Sequence, residues 1–175
     1  MATRNPSATR SRAFETPPES EAISDDEKDR ELLITRVFDA PREIVFRAWT
    51  DPKQLAQWYA PEGFTVAFLE MDLRPGGAWK KCMRSPAGEE YWRHGIYLEI
   101  SPPRRIAFTY VSDDPNSDPE HETIVTVTFA EQGKKKTLLT LRQANFDSVA
   151  ARDAHNFGWT SAIVRFGEFV EQQAG

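Results

Sequence analysis

One cysteine, Cys82, stands in 175 residues. A lone thiol excludes an internal disulfide and any multi-cysteine zinc site, and a reducing, cytoplasmic location is the expectation that goes with it. No apolar run approaches the ~20 residues needed to span a bilayer, so membrane insertion is not expected. The opening stretch, MATRNPSATRSRAF, has no apolar centre and does not read as a secretory signal. A basic surplus is missing too: 22 Lys and Arg face 27 Asp and Glu, for a net charge of −5. Nucleic-acid binding needs a basic face, so no nucleic-acid partner is expected. Nor does a glycine-rich loop open a helix, because Pro75-Gly76-Gly77 falls between two strand-like stretches. There is no nucleophile elbow and no histidine pair at helical metal spacing. Neither a metal nor a cofactor is expected. A metal site from Cys82, His94 and His155 is the weaker reading, because Cys82 falls on the outward parity of its strand.

What remains is one domain. A chain of this length buries roughly 70% of its unfolded surface. Residues 1–29 are Pro, Ser, Thr, Glu, Asp and Arg with few apolar positions, which predicts a disordered polar tail. The domain is expected over 30–175. Leu32–Phe38 reads as a strand. Asp39 is placed to cap a helix with Pro41 in its first turn, and Asp51-Pro52 repeats that signal for a second short helix ending near Trp58. From Phe64 the period changes to two. Strands are expected over 64–73, 78–84, 90–100, 105–111, 123–129 and 137–141, with turns at Gly76-Gly77, Gly88 and Gly133. Short connections mean antiparallel pairing.

The last stretch, Asp147 to about Gln173, is a long amphipathic helix. Trp159, Ile163, Phe166 and Val170 follow at steps of four, three and four and share one stripe. Asp147 or Ser148 can cap it. Gly158 and Ala162 are small residues within this bulky stripe, marking either close packing or a cavity beneath a covering sheet.

Strand parity assigns the inner faces. Ile106, Phe108 and Tyr110 are expected inward, as are Val125, Val127, Phe129, Leu139 and Leu141. His94, Ile96, Leu98 and Ile100 are likewise assigned inward, and Trp79, Lys81 and Met83 share a face. The parity of 64–73 is ambiguous, since both faces hold apolar residues. A one-residue slip or bulge inverts any such assignment.

Apolar walls with few polar groups suit a small-molecule pocket. Trp58, Trp79 and Trp159 are placed to line one between short helix, sheet and long helix. Met83, Ile96, Phe108, Val125, Ala162 and Ile163 would complete its apolar wall. His94, His155 and Tyr110 would be its polar anchors. The alternative is an enzyme of the cyclase or dehydratase type in the same cavity, with a histidine as acid–base. Lys81, at an inward position, would snorkel to the cavity mouth or meet an anionic ligand, the first being the simpler.

Several segments carry a family resemblance: Arg36-Val-Phe-Asp-Ala-Pro-Arg-Glu, Trp49-Thr-Asp-Pro with Gln57-Trp-Tyr-Ala-Pro-Glu-Gly-Phe, Asp72-Leu-Arg-Pro-Gly-Gly, Gly95-Ile-Tyr-Leu-Glu-Ile-Ser-Pro-Pro-Arg-Arg-Ile-Ala-Phe-Thr-Tyr and Gly158-Trp159. Together they resemble the family related to the activator of the 90-kDa heat-shock protein ATPase, within the START-like, or SRPBCC, helix-grip superfamily. The resemblance implies an α+β fold in which a curved antiparallel sheet wraps the last helix around an apolar cavity. It implies binding of a small hydrophobic or aromatic ligand, lipid or polyketide-like, with a co-chaperone-like module and a chaperone partner as the other reading. Fold alone does not choose between them.

Overall fold

The computed structural model describes residues 24–115 and 117–175. Most of the tail expected to be disordered, residues 1–23, lies outside the described residues. Just after it, Asp25–Lys28 forms a short helix, α1, closed by a capping box between Ser24 and Glu27. The domain then runs β1 (Leu32–Phe38), α2 (Arg42–Thr50), α3 (Pro52–Trp58), β2 (Thr65–Met71), β3 (Ala78–Arg84), β4 (Glu90–Ser101), β5 (Arg105–Ser112), β6 (Thr123–Glu131), β7 (Thr137–Ala144) and α4 (Val149–Ala174).

Local chemistry sets most of these boundaries. Asp51 caps α3, its carboxylate accepting the Lys53 amide at 2.8 Å, and Pro52 follows where its missing N–H is harmless. Ser148 caps α4 by accepting from the Ala151 amide at 3.1 Å. Asp39 does not cap α2. Its carboxylate pairs with Lys136 at 2.9 Å, and the helix starts at an extended Pro41 with no side-chain cap.

All seven strands form one antiparallel sheet in the order β1-β7-β6-β5-β4-β3-β2. The curved sheet folds around α4, which packs against β1, α2 and α3; this is the helix-grip arrangement. Trp49 of α2 ties the layers together. Its ring meets Trp58 edge-on at 4.7 Å, Phe166 at 5.8 Å and Trp159 in a stack at 5.9 Å. Aromatic pairs at these separations contribute about 0.5–1.5 kcal/mol each beyond burial.

The inner face carries Phe108 and Tyr110 from β5, Val125 and Val127 from β6, and Leu139 and Leu141 from β7, all buried. β4 departs from simple alternation. Its register against β5 slips by one between Tyr97 and Glu99, so Leu98 is the extra residue of a bulge. Upstream of the slip, Arg93, Gly95 and Tyr97 are the buried set, while Ile96 and Leu98 are 41% and 48% exposed. The inward assignment of His94, Ile96 and Leu98 is therefore wrong, although Ile100, beyond the bulge, does pack on the core. Period-two reasoning cannot cross a bulge, because the extra residue inverts the faces on one side of it. Upstream of the bulge, Gly95 is where β4 comes closest to Thr109 and Trp79. The Thr109 carbonyl beside it turns out of the ladder to accept the Trp79 indole N–H at 3.1 Å, and the Thr109 hydroxyl takes the Ile96 amide at 2.9 Å. A Cβ at Gly95 would lie 1.8 Å from the Thr109 carbonyl oxygen, so only glycine fits.

Candidate functional site

A cavity of about 320 Å³ opens between the N-terminal half of α4, the inner face of β3–β5 and the segment joining α3 to β2. Helix α4 contributes His155, Gly158, Trp159 and Ala162, the sheet contributes Lys81, Met83, Arg93 and Tyr110, and the connecting segment contributes Tyr59 to Pro61 and Phe64.

Gly158 shows why the space exists. A Cβ built there meets only Pro61 Cγ, at 3.9 Å. The small residues on the helix stripe thus mark a gap at 158. Farther along the same helix, Gly167 does the opposite and lies tight against Phe38.

The wall opposite the sheet is fastened by Arg165. Its guanidinium donates to the carbonyls of Ala60 at 2.8 Å, Pro61 and Phe64 at 3.1 Å, and Gln57 at 3.2 Å. One α4 side chain thereby holds the whole 57–64 turn. Under the cavity floor runs a buried polar chain. The Trp159 indole N–H donates to Gln143 Oε1 at 2.7 Å, Gln143 Nε2 donates to the Thr123 hydroxyl at 2.7 Å, and Thr123 donates to the Tyr110 carbonyl at 3.0 Å. The chain fixes Trp159 and orients β5, β6 and β7 relative to α4.

The polar groups of the cavity are few. Arg93 is 8% exposed and makes a two-pronged pair with Asp114, at 3.0 and 2.9 Å. Lys81 is 3% exposed, and its Nζ donates to the Tyr59 carbonyl at 3.3 Å while standing 3.4 Å from the Tyr59 ring centre. It does not snorkel. Burial, and then the Arg93 charge, push its pKa well below the ordinary lysine value. His155 Nδ1 lies 2.8 Å from the Ala151 carbonyl one turn back, a contact that makes Nδ1 the protonated donor and leaves Nε2 as the acceptor. Burial lowers its pKa, with the Ala151 bond opposing. Burial raises the phenols of Tyr59 and Tyr110, so both stay protonated as donors.

Of the residues expected from sequence to line a pocket, Met83, Tyr110, His155, Trp159 and Ala162 meet here. Trp58, Val125 and Ile163 are buried in the packed core instead, and the Trp58 indole N–H is used by the Ala48 carbonyl at 3.0 Å. Trp79 and Phe108 border an interior space of only about 10 Å³, about the size of one water site. His94 and Ile96 lie on the other face of the sheet, bordering a recess with Lys80 and Asp113, and His94 Nδ1 is 3.2 Å from the Asp113 carboxylate. The β4 bulge put them there. His94 and His155 thus share no substrate-sized space, and of the two only His155 stands in the cavity with Tyr110. Tyr59, Arg93, Asp114 and Arg165 were missed. Arg93 was hidden by the inverted parity of β4, and Arg165 by its place on the polar side of the helix. Among the described residues no cluster of three or more His, Cys, Asp or Glu could hold a metal. No helix among them is long and apolar enough to cross a membrane.

The comparisons with known proteins agree with this fold. Residues 39–171 match the family described as Activator of Hsp90 ATPase homolog 1-like protein. A crystal structure of a protein from Chromobacterium violaceum is 33% identical, with a TM-score of 0.74, over 81% of this chain and 97% of that one. The AHSA1 protein from Silicibacter pomeroyi is 25% identical, with a TM-score of 0.72, over 82% of this chain and 99% of that one. CalU16 from Micromonospora echinospora is 26% identical, with a TM-score of 0.61, over 82% of this chain and 77% of that one. No curated protein sequence matches.

Proposed function

We propose for this chain, which belongs to the Activator of Hsp90 ATPase homolog 1-like family, that it binds a small, largely apolar ligand, lipid or polyketide-like, between the sheet and the C-terminal helix. The observation that carries this reading is the unfilled space of about 320 Å³ beside Gly158. The cleft is walled largely by aromatic and apolar side chains with few polar groups, the lining that suits a small apolar ligand. Covering roughly 250 Å² of apolar ligand surface would contribute about 6 kcal/mol before association costs. The protonated phenols of Tyr59 and Tyr110 and the free ring nitrogen of His155 supply the few polar contacts such a site needs for orientation.

Chemical-shift mapping against a panel of fatty acids, fatty alcohols and aromatic polyketides tests this. Saturable shifts at Tyr59, Met83, Tyr110 and Trp159 are expected. Shifts confined to the outer face, at Lys80 and His94, or no shifts at all, would refute the reading.

A further inference from the structure

Lys81 is the one lysine in the core. It sits in the middle of β3, opposite Leu69 on β2 and Arg93 on β4. A lysine stem is long enough to carry its ammonium to water, and exposed lysines do so. This one turns inward. Of the three N–H groups an ammonium can donate, one is used, by the Tyr59 carbonyl. Among the described residues no carboxylate lies within ion-pairing distance of it. Its other neighbours are the faces of Tyr59, at 3.4 Å, and Tyr110, at 5.8 Å from Nζ to ring centre.

The charges around it come from every wall of the cavity. Arg93 of β4 is matched by Asp114 of the following loop through two hydrogen bonds, so that pair is internally neutral. His155 of α4 is held toward its neutral form by burial. Tyr59 and Tyr110 keep their protons. What remains is one buried amine, 3% exposed, with no carboxylate beside it among the described residues. A desolvated charge without a partner is costly, and a buried ionisable group of this kind in a cleft marks a candidate functional site.

We propose that the cavity takes a monocarboxylate amphiphile, an apolar chain or ring system bearing one ionised carboxylate, with that carboxylate set on Lys81. The proposal rests on the cavity-binding reading above and deepens it by naming the ligand class. The charge count favours one negative charge: a phosphate dianion would leave an excess, since Arg93 is already satisfied. The geometry favours a headgroup-inward pose, because Lys81 is 3% exposed while Phe157, also lining the cavity, is 78% exposed and stands at its open side. Burial and Arg93 disfavour the ammonium in the empty site, and an entering carboxylate restores it.

Decanoate and decan-1-ol, matched in chain length, are titrated at pH 8 into the wild-type protein and into Lys81→Met by calorimetry, with shift mapping to place each ligand. Methionine keeps the side-chain length and removes the charge. The wild type is expected to bind decanoate at least tenfold more tightly than decanol. Lys81→Met is expected to reverse that order while holding decanol within about threefold of its wild-type affinity. Equal binding of acid and alcohol to the wild type, or an acid preference that survives in Lys81→Met, overturns the carboxylate assignment and leaves the cavity reading standing. If neither compound shifts the cavity residues, both readings fall together. Thermal unfolding of Lys81→Met shows that the variant is folded when the titrations are made.

Discussion

Gly167 of α4 stands against Phe38 of β1 so closely that a Cβ at position 167 would lie 3.0 Å from Phe38 Cε1 and 3.3 Å from Cδ1. Phe38 cannot retreat, being fully buried and set edge-on against Phe166 at 5.0 Å. Nine residues earlier on the same helix, a Cβ at Gly158 would meet only Pro61 Cγ, at an unstrained 3.9 Å. The two glycines therefore have opposite roles, and the same kind of substitution should have opposite effects.

Gly158→Leu gains about 1 kcal/mol of helix propensity and places a side chain in the cavity without a clash. The expected outcome is a higher melting temperature and weaker ligand binding. Gly167→Ala gains the same propensity but overpacks, at a cost of about 1–3 kcal/mol, so a net loss of about 1 kcal/mol is expected. Chemical denaturation of the pair checks both signs. A melting temperature for Gly158→Leu below wild type would argue against the cavity.

Arg165→Ala removes every bond that Arg165 makes to the 57–64 turn. Hydrogen bonds from a charged donor contribute about 1.5–3 kcal/mol, so a loss of about 2 kcal/mol in stability is expected. The sharper readout is local. Hydrogen exchange at amides 59–64 should accelerate more than exchange in β5–β7. Arg165→Lys should restore little, because an ammonium cannot fork across several carbonyls.

Gln143→Leu breaks the buried chain under the cavity. The indole N–H of Trp159 loses its partner, while the hydroxyl of Thr123 loses a donor but keeps its bond to the Tyr110 carbonyl. An orphaned buried polar group costs about 1–3 kcal/mol, and stability should fall by about that much. A blue-shifted or broadened tryptophan emission would report the freed Trp159 ring. Wild-type stability in the variant would mean that the chain contributes nothing.

Lys81→Met should stabilise the ligand-free protein at pH 8. The substitution removes a desolvated amine with no carboxylate partner and keeps the volume. Such a group carries a desolvation cost, and the lost contacts to Tyr59 offset part of that. A net gain in stability is expected, measured by denaturant unfolding. A clear loss would show that the Tyr59 contacts outweigh desolvation.

His155 gives the fold a pH dependence of defined sign. Its folded pKa lies below the ordinary histidine value through burial, so between the two pKa values the unfolded chain binds more protons than the folded one. Stability therefore rises with pH through that window and falls as pH drops below about 6.5. His155→Gln should flatten the slope between pH 6.5 and the folded pKa, and comparison of the two unfolding-versus-pH curves checks it. An unchanged slope would mean that His155 titrates alike in both states.

The amino-acid sequence by itself determined the element order, the antiparallel pairing, the buried stripe Trp159–Ile163–Phe166–Val170 and the inward faces of β5, β6 and β7. Those features follow from short-range periodicity, and short antiparallel connections leave few other ways to pair the strands. Only the tertiary structure decided which aromatics are core and which are wall. Trp58 and Trp159 lie on similar apolar faces, but the Ala48 carbonyl claims the first and Gln143 the second. It alone decided the face of His94, because the one-residue slip between Tyr97 and Glu99 is a matter of how β4 pairs with β5. And it alone showed Lys81 buried without a counter-charge, since periodicity gives a direction for a side chain but says nothing of the charges that other strands bring beside it.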